Sequence, residues 1–326
     1  MKKYTVGIDV SKDKLDYCIL SNEDRSVLSK GVIENERKEL LRWLRKFDLE
    51  QYGFALEHTG NYGAMLAWLL SEANYCYYMI NPMALKKSMG IQRGKTDAVD
   101  AYRIASYAIS NSHQLEPYQL PTEELRKIKA LITARERYVK IVVQLKNSLK
   151  SNQILNKTID VKELIKEEKR QIKAISGSIK KVEKQIMELI NATEDLKKSY
   201  QKITKVIGVG PITAVKCITE TNNFLNFKNA RKFSCYCGLA PFPYQSGSSV
   251  KGKTKTHHLR NKPLKSTLFK AAGSAIQHDP QLKAYYQRKT KEGKHKLNAL
   301  NAVANKLVLR IFAVVKRDEP FVKLAA

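Results

Sequence analysis

Acidic residues are scarce in this chain: 31 Asp and Glu stand against 59 Lys and Arg in 326 residues, a formal charge of +28. That imbalance excludes a polycationic partner and predicts a polyanion, because each phosphate neutralised by a basic side chain releases a condensed counterion. Nucleic acid is the leading partner. Cysteine is sparse as well. Cys18, Cys76, Cys217, Cys235 and Cys237 include one close pair, spaced C-x-C and not the C-x-x-C that metal and redox sites favour. Zinc and disulfides are therefore not expected. There is no run of about 18 apolar residues of the kind that spans a bilayer, and the start "MKKYTVGIDV" has no apolar signal-peptide core. A cytoplasmic protein with no membrane partner is expected. Between about 122 and 200, glycine and aromatic residues almost disappear.

What is present suffices for two or three domains with ordinary packed cores, since 43% of the residues are hydrophobic. Three divisions are expected: residues 1–120, 121–200 and 201–326. In the first, Tyr4, Val6 and Ile8 alternate as in a strand, and "KLDYCIL" and "SVLSKGVI" read as two more. Helix "ERKELLRWLRKF", strand "GFALE", helix "YGAMLAWLLSEA", strand "CYYMI" and a helix around Asp100 follow. Three strands in a meander and then alternating helix and strand make a ribonuclease-H-like α/β domain. In the second division Ile172, Ile175, Ile179, Val182, Ile186 and Leu189 recur at spacings of 3, 4, 3, 4 and 3, a heptad seam. This predicts a helical coiled-coil arm, with a helix from Leu125 to Leu149 packed antiparallel on it and a bend at Gly177. The third division, where glycine, proline and aromatics return, is expected to be mainly helical.

Four acids stand out against the basic background. Asp9 lies at the end of the first strand and Glu57 at the end of "GFALE", two strands that lie side by side in a ribonuclease-H-like sheet. Asp97 and Asp100, in "RGKTDAVDAYRIA", share one side of a helix. If that helix packs on the same sheet edge, Asp9, Glu57, Asp97 and Asp100 form one cluster. Adjacent carboxylates cannot all stay ionised without cations, and hard oxygen ligands suit Mg²⁺ acting on a phosphoryl group. The neighbouring Arg93, Lys95 and Arg103 would then face phosphate. Singly, each acid has a plainer reading: Thr96 and Asp97 as a helix start, Asp9 as a strand-end turn, Glu57 as a surface charge. Their joint occurrence on the right elements favours the metal seat.

Two carboxyl-terminal stretches add to this. "IGVG", residues 207–210, followed by "PITAVKCI", reads either as the hairpin of a helix-hairpin-helix element, whose backbone N–H groups grip phosphate, or as a plain packing turn. In "CYCGLAPFPYQSGSSVKGKTKTHHLRNKPLK", Pro241 and Pro243 fix a loop and Ser246, Ser248 and Ser249 surround Gly247. Lys251, Lys253, Lys255, Arg260, Lys262 and Lys265 follow as candidate nucleic-acid contacts. The serines read as a flexible turn or as holding a nucleophile beside phosphate-neutralising bases.

Together, "GIDVSKDKLD", "ALEHTG", "KTDAVDA", "LKNSLK", "IGVGPITA" and "YCGLAPFPYQSG" resemble, in order and spacing, the DEDD insertion-sequence transposases of the IS110 type. That family is related to the Piv DNA invertases and comprises bridge-RNA-guided recombinases. The resemblance implies an amino-terminal RuvC-like domain whose acidic tetrad falls on Asp9, Glu57, Asp97 and Asp100, with Mg²⁺. It implies that the serine of the Gly-Leu-x-Pro … Ser-Gly motif, here Ser246, attacks the scissile phosphodiester and stays joined to DNA. It also implies a structured guide RNA that pairs with target and donor DNA, and dimers or tetramers in which RuvC-like and serine domains of different protomers meet. Where many members carry Lys-Arg-Gly-Asn ahead of Leu-Arg, this chain has "HHLRNKPLK", with Arg260 at the glycine place and Lys265 at the arginine place, and a lysine does not reproduce a bidentate arginine clamp.

The rival readings are a Mg²⁺-dependent Holliday-junction resolvase, which needs the tetrad but no serine, and a non-catalytic nucleic-acid-binding protein that works by charge alone. All three share one expectation. DNA affinity should fall by about a thousandfold or more between 50 and 200 mM salt if some six phosphates are neutralised; a flat log–log plot of affinity against salt would contradict the charge argument.

Overall fold

The computed structural model describes residues 2–58, 60–88, 97–227, 229–246, 250–256 and 259–317. The chain divides into two compact units, Met1–Leu120 and Pro121–Ala326.

The first unit is built on β1 (Tyr4–Val10), β2 (Lys14–Ser21), β3 (Val27–Glu34), α1 (Arg37–Leu44), β4 (Tyr52–Glu57), α2 (Ala64–Glu72), β5 (Tyr77–Ile80), α3 (Pro82–Ser88) and α4 (Asp97–Ser110). Its five strands lie in the order β3-β2-β1-β4-β5. β1 pairs antiparallel with β2 and β2 with β3, whereas β4 runs parallel to both β1 and β5. An antiparallel meander extended by parallel strands through helical crossovers is the ribonuclease-H-like plan that the order of apolar patterns predicts.

Period-two alternation gives the sheet two distinct faces. Val6, Ile8, Leu15, Phe54 and Leu56 pack with Leu40 and Trp43 of α1 and Leu66 and Leu70 of α2. The opposite face receives α4, through Ala101 and Ala105 against Cys18 and Leu20, and through Ile104 and Ala108 against Ala55 and Ile80. Gly7 fixes how closely α4 approaches: a Cβ there would stand 2.3 Å from the Ala101 carbonyl oxygen and 2.4 Å from the Ala105 nitrogen. The helix backbone lies directly on β1 at that residue.

The second unit opens with α5 (Glu123–Leu155) and α6 (Lys162–Ala192), which form the arm. Arg135 reaches Glu183 at 2.6 Å and Ser148 reaches Glu168 at 2.6 Å, pairings whose opposed order along the chain makes the two helices antiparallel. Glu168 is buried and its Oε1 takes a second hydrogen bond, from Asn152 at 2.9 Å, while its Oε2 is buried without a partner among the described residues; a buried polar group bonded across an apolar seam fixes register at a cost in stability. α6 runs as one helix through Gly177, where a bend is expected. Packing against α5 along the whole seam outweighs the cost of about 1 kcal/mol for a single helical glycine.

There follow α7 (Glu194–Thr204), α8 (Pro211–Glu220), α9 (Ala230–Tyr236), β6 (Phe242–Ser246), β7 (Val250–Lys255), α10 (Lys262–His278), α11 (Pro280–Lys291) and α12 (Lys296–Lys316). The turn between α7 and α8 contains Gly208 at φ +89°, and a Cβ there would meet Ala275 of α10 at 2.6 Å, so this helical hairpin is seated on α10 by its glycine. α12 is long and apolar enough to cross a membrane by length and composition. In the fold, Val303, Ala304, Leu307, Val308 and Ile311 form the centre of this unit's core, with Ile218, Phe233 and Leu268 around them. The segment expected to be a proline-fixed loop is instead an antiparallel pair, β6 with β7, whose register shifts between Phe242 and Tyr244. Pro243 has no N–H for a ladder, and the irregularity absorbs the missing bond.

Two glycines give opposite expectations. Gly177→Ala, where an added Cβ meets nothing within 4 Å, should stabilise the protein by about 0.5–1 kcal/mol. Gly7→Ala should destabilise it by about 1–3 kcal/mol or more. Urea unfolding of both variants checks this, and a neutral Gly7→Ala would refute the close approach of α4.

Candidate active site

The faces of the sheet decide where the acids go. Gly7 and Asp9 share the α4 side of β1, Ala55 and Glu57 share it on β4, and Asp16 shares it with Cys18 and Leu20 on β2. The parallel register of Ile8 with Leu56 sets Asp9 beside Glu57 at the same end of the two strands. Asp9 lies directly opposite Asp16 across the antiparallel pair. α4 begins with Asp97, and its first turn carries both Asp97 and Asp100. All four acids expected from the sequence therefore come to one end of one face, and a fifth, Asp16, joins them.

The electrostatics record this convergence. Burial first, and then the charges of Asp100, Asp97, Glu57 and Asp16, together push the Asp9 carboxyl up from 3.8 to about 6. Lys14 Nζ donates to Asp97 Oδ2 at 2.9 Å and stands 3.0 Å from Asp16 Oδ2, bridging α4 to β2. These two carboxylates in turn raise the Lys14 amine above its ordinary range. Arg103 Nη1 meets Asp100 Oδ1 at 2.9 Å. Among the described residues no three acidic, cysteine or histidine side chains enclose a common point suited to a metal ion. The donor set fits a hard divalent cation nevertheless: every member is a carboxylate, and the mutual repulsion centred on Asp9 is what such a cation relieves.

Reading the sequence alone missed Asp16 and Lys14. The signal was available: Lys14 and Asp16 alternate on β2 with the parity of Cys18 and Leu20, which is the parity that faces α4. Arg93 and Lys95 lie outside the described residues, as do Ser248 and Ser249.

In the second unit, Ser246 is the last residue of β6 and pairs with Val250, and β7 carries Lys251, Lys253 and Lys255. The root of this hairpin is tied on both sides. Asn301 Nδ2 donates to the Leu239 carbonyl at 2.7 Å and Lys265 Nζ to the Gly238 carbonyl at 2.7 Å. Gly238 has φ +69°, with the Arg260 side chain against its α-carbon. Burial and the Arg260 charge lower the Lys265 amine below its ordinary range. On the return, Asn261 caps α10 through the Leu264 N–H and donates to Glu220 Oε2 at 3.1 Å, an oxygen that also accepts from Tyr236 Oη at 2.6 Å. Lys262 is exposed in the first turn of α10.

Two family models match this chain in succession: the IS110-type DEDD transposase model over residues 6–159, and the model described as the transposase IS116/IS110/IS902 family over residues 200–287. The chain belongs to the IS110-type transposases. The pilin gene-inverting protein of Moraxella bovis is 26% identical over 330 residues, covering 99% of both chains. An insertion element IS110 protein of 43.6 kDa from Streptomyces coelicolor is 31% identical over 134 residues, 40% of this chain and 32% of that protein. The solved structure of T. thermophilus RuvC in complex with Holliday junction substrate aligns with 35% of this transposase and 99% of RuvC, at 16% identity and a TM-score of 0.27; the fold assignment rests on strand order and not on that score.

Because the folded-state value of Asp9 lies above its ordinary one, ionising it costs the folded, cation-free protein stability as the pH rises from about 4 to beyond 6. Asp9→Asn should therefore stabilise the metal-free protein at pH 8 and have little effect at pH 4, read by urea unfolding. An equal effect at both pH values would show that the acids do not converge on Asp9.

Proposed function

We propose that this transposase cuts and rejoins DNA through a covalent phosphoserine intermediate formed at Ser246, with Asp9, Glu57, Asp97 and Asp100 holding Mg²⁺. The observation that carries the metal half is the raised carboxyl of Asp9, a charge conflict among acids from three different elements. Bound there, a divalent cation supplies charge neutralisation and Lewis-acid polarisation of a phosphoryl oxygen. The chain's own residues do the rest. Gly7 sets α4 against the sheet so that Asp97 and Asp100 stand beside Asp9, and Glu57 completes the oxygen set.

At the serine, the Oγ–phosphorus bond forms as the bond from phosphorus to the leaving sugar oxygen breaks. The hydroxyl proton leaves to a base and the departing oxygen takes one up. The ester keeps the phosphodiester's bond energy, so a second DNA end can reverse the step without an external energy source, as strand exchange requires. Lys251, Lys253, Lys255, Arg260, Lys262 and Lys265 supply positive charge toward phosphate, as Arg93, Lys95 and Arg103 do beside the acids. The RuvC-like region 1–120, the arm 121–200 and the serine region 201–326 act as three functional parts. The arm mediates assembly into a homodimer or homotetramer and binds a structured guide RNA, whose pairing with target and donor DNA chooses the sites. This reading rests on the family's motifs and on the charge of +28, and it places the protein in the cytoplasm.

A denaturing gel of protein incubated with donor and target DNA, Mg²⁺ and co-purified RNA is the test. The wild type should give a protein–DNA adduct that survives denaturant. Ser246→Ala should give none, and Asp97→Ala should reduce the yield by about a hundredfold or more, the scale of losing one preorganised electrostatic group. An adduct that persists in Ser246→Ala overturns the nucleophile, and free nicked product without adduct points to hydrolysis by water.

A further inference from the structure

A cleft of about 720 Å³ opens at the root of the serine hairpin, between the segment around Leu239, Pro241 and Thr256, α10 and the start of α12. The tetrad has no part in it. Its volume lies within the range of sites that take small organic ligands, too small for a duplex and ample for a base with its sugar and phosphate.

Its chemistry is specific. Asn298, Asn301 and Asn305 follow one another at three and four residues on α12, so their amides make a row along one face of the cleft, while the opposite face of the helix is core. Leu297 is 60% exposed at the mouth, and Phe269 offers an aromatic surface with Lys265 Nζ 5.3 Å from its centroid. Lys265 and Lys294 bring positive charge, and no acidic residue lines the cleft among the described residues. The Asn301 Oδ1 is buried and accepts no hydrogen bond, its Nδ2 being committed to Leu239. A buried acceptor left in that state carries a desolvation penalty that an entering donor relieves.

Amides with both donors and acceptors, a flat apolar surface and unopposed cations are what an unpaired nucleotide demands: hydrogen bonds to the base edge, stacking for its face and neutralisation of its phosphate. We propose that this cleft holds an unpaired nucleotide of the DNA strand to be cut, with Asn298 and Asn305 reading the base and Lys265 and Lys294 taking its phosphate. The assignment to DNA rests on the reading of Ser246 as nucleophile. Pro241 at the cleft and Ser246 at the strand end are five residues apart, about 17 Å of extended strand. A strand lying along the hairpin therefore puts the cleft a few nucleotides from the scissile phosphate, and the enzyme gains a sequence preference of its own close to the cut.

Fluorescence anisotropy of the full-length protein with a short labelled single-stranded DNA of mixed sequence tests this, beside a duplex and an RNA of the same sequence. Asn298→Asp/Asn305→Asp should weaken single-stranded DNA binding by about tenfold or more and leave duplex binding within about twofold. Lys294→Glu, at an exposed position outside the core, should act in the same direction. The charge-matched control Ala284→Asp/Gln287→Asp, exposed on α11 and away from the cleft, should change neither. Equal losses in the control, or equal losses on duplex, would overturn the cleft as the site. A loss confined to RNA would overturn the assignment to DNA. Repeating the series in Ser246→Ala separates the two ideas: lost adduct with single-strand affinity intact leaves both standing, a persistent adduct sinks only the serine, and cleft variants that bind normally sink only the cleft.

Discussion

The first unit is organised around a repulsion. Carboxylates from three strands and a helix are held on one face of one sheet, close enough that burial and their mutual charge drive Asp9 to about 6. Such a cluster survives only if the backbone that imposes it is stiff and close-packed. β1 supplies the stiffness, as a strand bonded on both sides, and Gly7 supplies the closeness by letting α4 rest on it without an intervening Cβ. Fold stability and charge pull apart at this point: the core that packs α4 is also what forces like charges together, a conflict that the cation of the proposed function would relieve.

Lys14 and Arg103 show how the protein manages that conflict with its own residues. Lys14 spans Asp97 and Asp16, and Arg103 holds Asp100 from the next turn of the same helix. The pairs are not equivalent. Lys14 is half exposed on a flexible stem, so the net energy of its pairing is small and a competing cation can displace it. Arg103 and Asp100 are each less than a fifth exposed and are the firmer pair. Of these two acids Asp97 is thus the freer to turn, and Asp100 the more firmly fixed.

The parts legible in the sequence were those in which a residue's role follows from its own element. The strand order, the four acids at element ends and the heptad seam of α6 could all be read from periodicity and position. Asp16 and Lys14 could not be singled out that way, because a charged pair spaced by one residue on a strand looks like any solvated edge until the register places Asp16 opposite Asp9. The hairpin of β6 and β7 was hidden by Pro241 and Pro243, which argue against a strand unless a bulge absorbs the missing donor. At Gly177 the helix continues, because packing along the arm outweighs the glycine's poor local propensity.

The second unit poses a different problem: Ser246 ends one strand of a hairpin that is, among the described residues, a two-stranded sheet. Two strands alone are marginal in water, so the order must come from the root. There the contacts are dense: Asn301 and Lys265 hold the carbonyls of Leu239 and Gly238, and Tyr236, Glu220 and Asn261 lock the return into α10. Each of these groups is anchored in a helix of the core, so the root is held firmly. Under the proposed function Ser246 is aimed by the base of its hairpin, and a ligand seated at that base would bear directly on the aim.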